Sequence, residues 1–171
     1  MRHVICASLA ALACGAAHAD IDIYSVALYG ANECAGGPLT CGAGDPDGWG
    51  AGTVMIDPVA TTVSWNILAF GIDMPLTGAH IHQAAAGSNG PVVINFSAAL
   101  SGSVVDADAA GINAGTADGY YVNLHNAAYA GGAIRGQLVY ERTVAAVPEP
   151  GRYALLLAGL GVIGWVSRRR A

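Results

Sequence analysis

Three histidines lie beyond residue 19 of the chain: His80 and His82 in the stretch GAHIHQ, and His125 in YYVNLHN. A neutral imidazole nitrogen is a borderline donor that suits Cu(II) or Zn(II). Three imidazoles on a firm support would therefore form a transition-metal site, copper-type in preference to zinc. The same rings could instead hydrogen-bond across strands, or to the loop over 84–90, and bind no ion. In an extended chain, residues i and i+2 share a face. His80 and His82 thus point one way, and Ala79 and Ile81 the other. In YYVNLHN, Val122 and Leu124 share one face, while Tyr121, Asn123 and His125 share the opposite one. If the apolar faces build the core, the three histidines stand on the outer surface of a sheet. Met55 and Met74 could serve Cu(I), but they read first as core residues.

A second reactive pair, Cys34 and Cys41, closes the stretch CAGGPLTC. In an oxidising compartment such a pair, with Gly-Gly-Pro between, reads as a disulfide loop. A C-x6-C metal site would need further ligands brought in by the fold. No other constellation carries chemistry. Ser and Thr are scattered, there is no Gly-x-Ser-x-Gly elbow, and most carboxylates sit beside Gly or Pro, where Asp shapes turns. No catalytic residue is expected.

The elements that must hold these residues read as strands. Residues 21–29, 52–57, 62–70, 78–83, 91–96, 120–126 and 133–141 have strand composition, and Val63, Trp65 and Ile67 share one face. Asp57-Pro58 marks a hairpin turn between the second and third of these segments. The stretch 97–118 is small and acidic, with a short helical turn expected around Ala107–Gly111. Glycine makes up 24 of 171 residues, about 14% against a usual value of roughly 7%. Seven or eight short strands without a long amphipathic helix predict an all-β Greek-key sandwich.

The two ends belong to other processes. Arg2 and His3 precede an apolar run that closes on Ala17-His18-Ala19, the form of a signal-peptidase site, so residues 1–19 read as a cleaved signal peptide. At the other end, Val147-Pro148-Glu149-Pro150 is followed by uncharged residues 153–167 and then Arg168, Arg169 and Arg170. As a helix, the uncharged stretch would span about 22 Å at ~1.5 Å per residue, against a hydrocarbon core of about 30 Å. It reads as a short transmembrane helix, about 153–167, with its Arg cluster on the cytoplasmic side. The body between, 20–147, holds eleven acidic residues against Arg135 and Arg142, a net charge near −9. Such a surface repels nucleic acid and anionic lipid and could attract cations.

The C-terminal pattern closely resembles the PEP-CTERM sorting signal of Gram-negative bacteria. The resemblance covers about the last 25 residues and rests on the Pro-Glu-Pro motif, the apolar helix and the terminal arginines, in that order. It implies export, transient anchoring in the inner membrane, processing by an exosortase-type transpeptidase, and delivery to the outer surface or matrix. It also implies an association with exopolysaccharide or other surface proteins.

The body resembles the CHRD domain through LYGANE (28–33), GAHIHQAAAGSNGPVVI (78–94), YYVNLH (120–125) and GGAIRGQL (131–138). The family's last motif usually reads Gly-Glu-Ile-Arg-Gly-Gln, and Ala133 stands here in place of the Glu. If that Glu pairs with Arg135 or supports a histidine, the site in this chain lacks the partner. In outline the family is similar to the Cu/Zn superoxide dismutase sandwich, and by that analogy His80, His82 and His125 match copper ligands. No further histidine in the body is available for a bridging or second metal site, so dismutase activity is not expected. The resemblance implies a non-catalytic extracellular module. The alternative is a copper-binding storage or redox protein.

Overall fold

A computed structural model describes residues 20–35, 40–145 and 152–170. The signal-peptide segment and Val147, Pro148, Glu149 and Pro150 lie outside the described residues. Residues 19–146 form one compact unit, and the C-terminal helix belongs to another.

The compact unit is almost entirely β. Its strands are β1 (Ile21–Tyr29), β2 (Cys34–Ala35), β3 (Thr40–Cys41), β4 (Trp49–Asp57), β5 (Thr62–Phe70), β6 (Leu76–Gln83), β7 (Val92–Asn95), β8 (Ser101–Val105), β9 (Tyr120–Asn126) and β10 (Ile134–Val144). Eight of them form one antiparallel sheet in the order β7-β6-β9-β10-β1-β4-β5-β8, while β2 and β3 make a separate two-stranded ribbon. Instead of two separate sheets in a sandwich, a single sheet curls over its own apolar face. Its two wings meet where Trp65 of β5 stacks on Phe96 beyond β7, with ring centroids 4.0 Å apart and planes 4° from parallel. Alternation explains the curl. Tyr24, Leu28, Val54, Ile56, Val63, Ile81, Val122, Leu124 and Ile134 all point inward and are fully buried. A curled sheet lets the inward residues of distant strands share one core.

Two features refine the sequence reading. The acidic stretch contains the expected helical turn, Ala107–Gly111, but also strand β8 at one sheet edge. Ser101–Val105 carries no apolar alternation to mark it, because four of its five residues are exposed. Met55 and Met74 are 40% and 60% exposed, not core residues. Met55 shares the outward parity of Trp49 and Thr53, and Met74 lies in the connection before β6. The turn after β4 forms as read, with the Asp57 carboxylate accepting from the amides of Val59 (2.9 Å) and Ala60 (2.7 Å).

The tail forms one helix, α1 (Arg152–Arg170). Leu156, Leu157, Leu160, Val162, Ile163 and Trp165 are all exposed on it, and the Arg169 guanidinium lies 3.7 Å above the Trp165 ring. Among the described residues, no helix is long and apolar enough to cross a membrane. The uncharged stretch of α1, residues 153–167, has arginines at both ends.

Candidate metal centre

The three histidines meet on adjacent strands. β6 pairs with β9 so that His80 faces Asn123, His82 faces Tyr121 and Gly78 faces His125. One ring nitrogen from each of His80, His82 and His125 lies within 4.8 Å of the others. The ring centroids are 5.6 Å apart for His80–His82, 5.1 Å for His80–His125 and 6.1 Å for His82–His125. Gly78 makes the room. A Cβ at this position would sit 2.7 Å from Cε1 of His80 and 3.4 Å from Cδ2 of His125.

Hydrogen bonds select the tautomers. Nδ1 of His82 lies 3.0 Å from the carbonyl oxygen of Gly90, and Nδ1 of His125 lies 3.0 Å from that of Ala130. A carbonyl only accepts, so each Nδ1 must carry the proton and each Nε2 keeps a lone pair. Those two Nε2 atoms and Nδ1 of His80 are buried and have no partner among the described residues. Leaving such a group unsatisfied costs about 1–3 kcal/mol, a cost that a shared ion would offset. Burial pushes the His80 pKa down to about 4, with help from neighbouring His125 and His82. Burial also lowers His82 and His125, against the opposing pull of their carbonyl partners. The three rings are thus held neutral, the form that binds metal.

The face that carries them is not open to solvent. Tyr121 and Asn123 are 2% exposed, Arg135 is 1% exposed and Glu33 is 3% exposed. The expected outward orientation is correct, but the segment after β1 and the loop over 84–90 cover that face. Arg135 binds this cover. Its Nη1 donates to Oδ1 of Asn89 (3.0 Å), and its Nη2 donates to the carbonyl of Ala85 (3.1 Å) and to Oε1 of Gln137 (3.2 Å). Its guanidinium lies 3.4 Å from the centroid of Tyr121, whose ring stacks on His82 at 4.9 Å and 9°.

Glu33 brings a carboxylate to the same corner. Its side chain and that of Asn123 both lie against Gly132, where a Cβ would come within 2.3 Å of Oε2 of Glu33 and 2.7 Å of Nδ2 of Asn123. Burial raises the Glu33 pKa, and Arg135, the Cys34 amide and Asn123 pull it back down. Ala133 is fully buried beside it. A cavity of about 450 Å³ lined by Glu33, Asn89, Tyr129 and Gly132 opens next to this corner.

Cys34 and Cys41 are joined by a disulfide across the β2–β3 ribbon. The pair therefore leaves no thiolate for a metal. Sequence reasoning placed Tyr121 and Asn123 on the histidine face but gave them no part. The hydrogen bond expected between a histidine and the loop over 84–90 does form, from His82 to Gly90, whereas no residue-type signal marked the Ala130 carbonyl as the partner of His125.

A CHRD domain model matches residues 24–138, and the chain belongs to that family. A second model, the PEP-CTERM protein-sorting motif, matches residues 146–170. Such motifs mark exported proteins of Gram-negative bacteria. No curated protein and no solved structure matches the chain.

Proposed function

We propose that the compact unit is a non-catalytic extracellular module that holds one transition-metal ion, copper in preference to zinc, on His80, His82 and His125. Two observations carry this reading: His80, His82 and His125 each bring one ring nitrogen within 4.8 Å of the others, and each ring has a buried nitrogen without a partner among the described residues, in His82 and His125 the one left free by a carbonyl on the opposite nitrogen. A ring set built only for cross-strand hydrogen bonding would use those atoms. The metal would give the module a structural clamp between β6 and β9. The short crossings between opposite ends of the sheet, from β5 to β6 and from β7 to β8, support the Greek-key, dismutase-like outline expected from the sequence.

The sorting motif supports processing by an exosortase-type transpeptidase after export and signal-peptidase cleavage. In this reading Arg168, Arg169 and Arg170 stay on the cytoplasmic side during a transient inner-membrane stage. The module then reaches the outer surface or matrix, with exopolysaccharide or other surface proteins as its surroundings. Calorimetric titration of residues 19–146 with Cu(II), Cu(I) and Zn(II) tests the metal assignment, with His80→Ala/His82→Ala as the control.

A further inference from the structure

We infer that Arg135 is the positioning residue of the histidine site, setting the orientation of His82 through Tyr121 and the loop over 84–90. The inference rests on the metal reading only for its effect on affinity; its effect on the His82 ring stands apart from any ion.

A fully buried arginine is expensive unless its donors are satisfied and its charge is balanced. Arg135 meets that demand from several elements at once. Tyr121 of β9 takes its cationic face, Gln137 of β10 and Asn89 take its donors, and the Ala85 carbonyl takes another. Glu33 contributes an opposing charge. Two of these contacts, with Tyr121 and with Asn89, lead back to His82. Tyr121 is the surface on which the His82 ring lies, so the ring, the phenol and the guanidinium stack in that order. The phenol oxygen accepts from the Gly90 amide at 3.3 Å, and the Gly90 carbonyl accepts from Nδ1 of His82. Asn89, beside Gly90, is gripped from both sides: its Oδ1 by Arg135 and its Nδ2 by the carbonyl of Cys34, at 2.6 Å. The 84–90 loop is exposed over most of its length. Arg135 fixes the carbonyl partner of His82 together with Cys34 on Asn89, the Tyr121 hydroxyl on Gly90 and Gln137 on Ala84. His125 is held differently, by Ala130, and serves as an internal control.

The planar fork matters more than the charge. Lysine at this position would keep a cation and a stem but could not reach Asn89, Ala85 and Gln137 together. The test uses residues 19–146, which form a unit with its own core, carrying Arg135→Lys, Arg135→Met or Asn89→Ala. The first readout is the nitrogen-bound imidazole proton of His82 in metal-free protein by ¹⁵N-resolved NMR. It should be lost or broadened in Arg135→Met, while the His125 signal persists. The second is Cu(II) affinity by chelator competition, which should fall about 10- to 100-fold in Arg135→Met, less in Arg135→Lys, and a few-fold in Asn89→Ala. Asn89 is on the exposed loop, so this last variant keeps the test decisive if removing Arg135 prevents folding. Unchanged His82 signals in folded Arg135→Met, or in Asn89→Ala, would overturn the inference. If His80→Ala/His82→Ala binds copper as well as the unaltered chain does, the metal reading fails and the NMR result alone decides the role of Arg135.

Discussion

His125 stands beside His80 with ring centroids 5.1 Å apart, although the two lie far apart in the chain. The pairing of Gly78 with His125 and of His80 with Asn123 brings them together. Strand register, not local sequence, builds the third corner of the site.

That register makes Gly78 a test of geometry with little cost to the fold. In Gly78→Ala the new methyl would press on the His80 ring, which must turn away. The backbone remains extended, so stability should change by no more than about 1 kcal/mol. Metal affinity should fall about tenfold or more. Thermal unfolding with and without metal checks this: the metal-free midpoint should hardly move, and the rise on adding metal should shrink.

The histidine pairing was half legible in the sequence. Period-two parity placed His80 and His82 on one face and put Tyr121, Asn123 and His125 together, because each strand keeps its apolar residues on the other side. Parity does not say which strands are neighbours; only the family resemblance grouped His125 with the other two, and the fold supplies the β6–β9 pairing that joins them. Nor does it report what covers a face. The cover depends on Arg135, Asn89 and Glu33, and a single buried Arg or Glu looks in sequence like any solvated charge. Strand β8 was missed for a related reason: an exposed edge of Ser, Gly and Val carries no alternation.

The metal-free unit should lose stability in acid. The folded state holds His80 at a pKa of about 4 against an ordinary 6.5, so it binds this proton less readily than the unfolded chain. His82 and His125 are shifted the same way. For a group with a depressed pKa, stability is fully present above the unfolded value and is lost as pH falls toward the folded one. Glu33 acts in the opposite sense. Its raised pKa gives a contribution present in acid and lost as pH rises through the folded value. Urea midpoints should therefore fall from pH 6.5 toward pH 4, and that fall should flatten in His80→Ala/His82→Ala.

The Cys34–Cys41 disulfide closes a short loop of sequence separation 7. Loop-closure entropy for a ring of this size corresponds to about 2–3 kcal/mol. Cys34→Ser/Cys41→Ser should lose about that much in urea unfolding. It should also lower metal affinity modestly, because the Cys34 carbonyl holds Asn89. An unaltered midpoint would show that the β2–β3 ribbon is held by other contacts.

The tail should decide where the module resides. Deleting residues 147–171 removes nearly all of the matched sorting motif and should shift the protein from cell-surface or matrix fractions into the soluble periplasm or medium. Immunoblots of those fractions check this, and unchanged surface retention would count against processing at the motif.

The most direct test of the metal centre is a Cu(II) titration of residues 19–146 against a competing chelator, followed by electron paramagnetic resonance of the loaded protein. One equivalent of tightly held copper, with hyperfine structure from three nitrogens that disappears in His80→Ala/His82→Ala, is the expected result. Weak binding that is equal in both proteins, without nitrogen hyperfine structure, would contradict it.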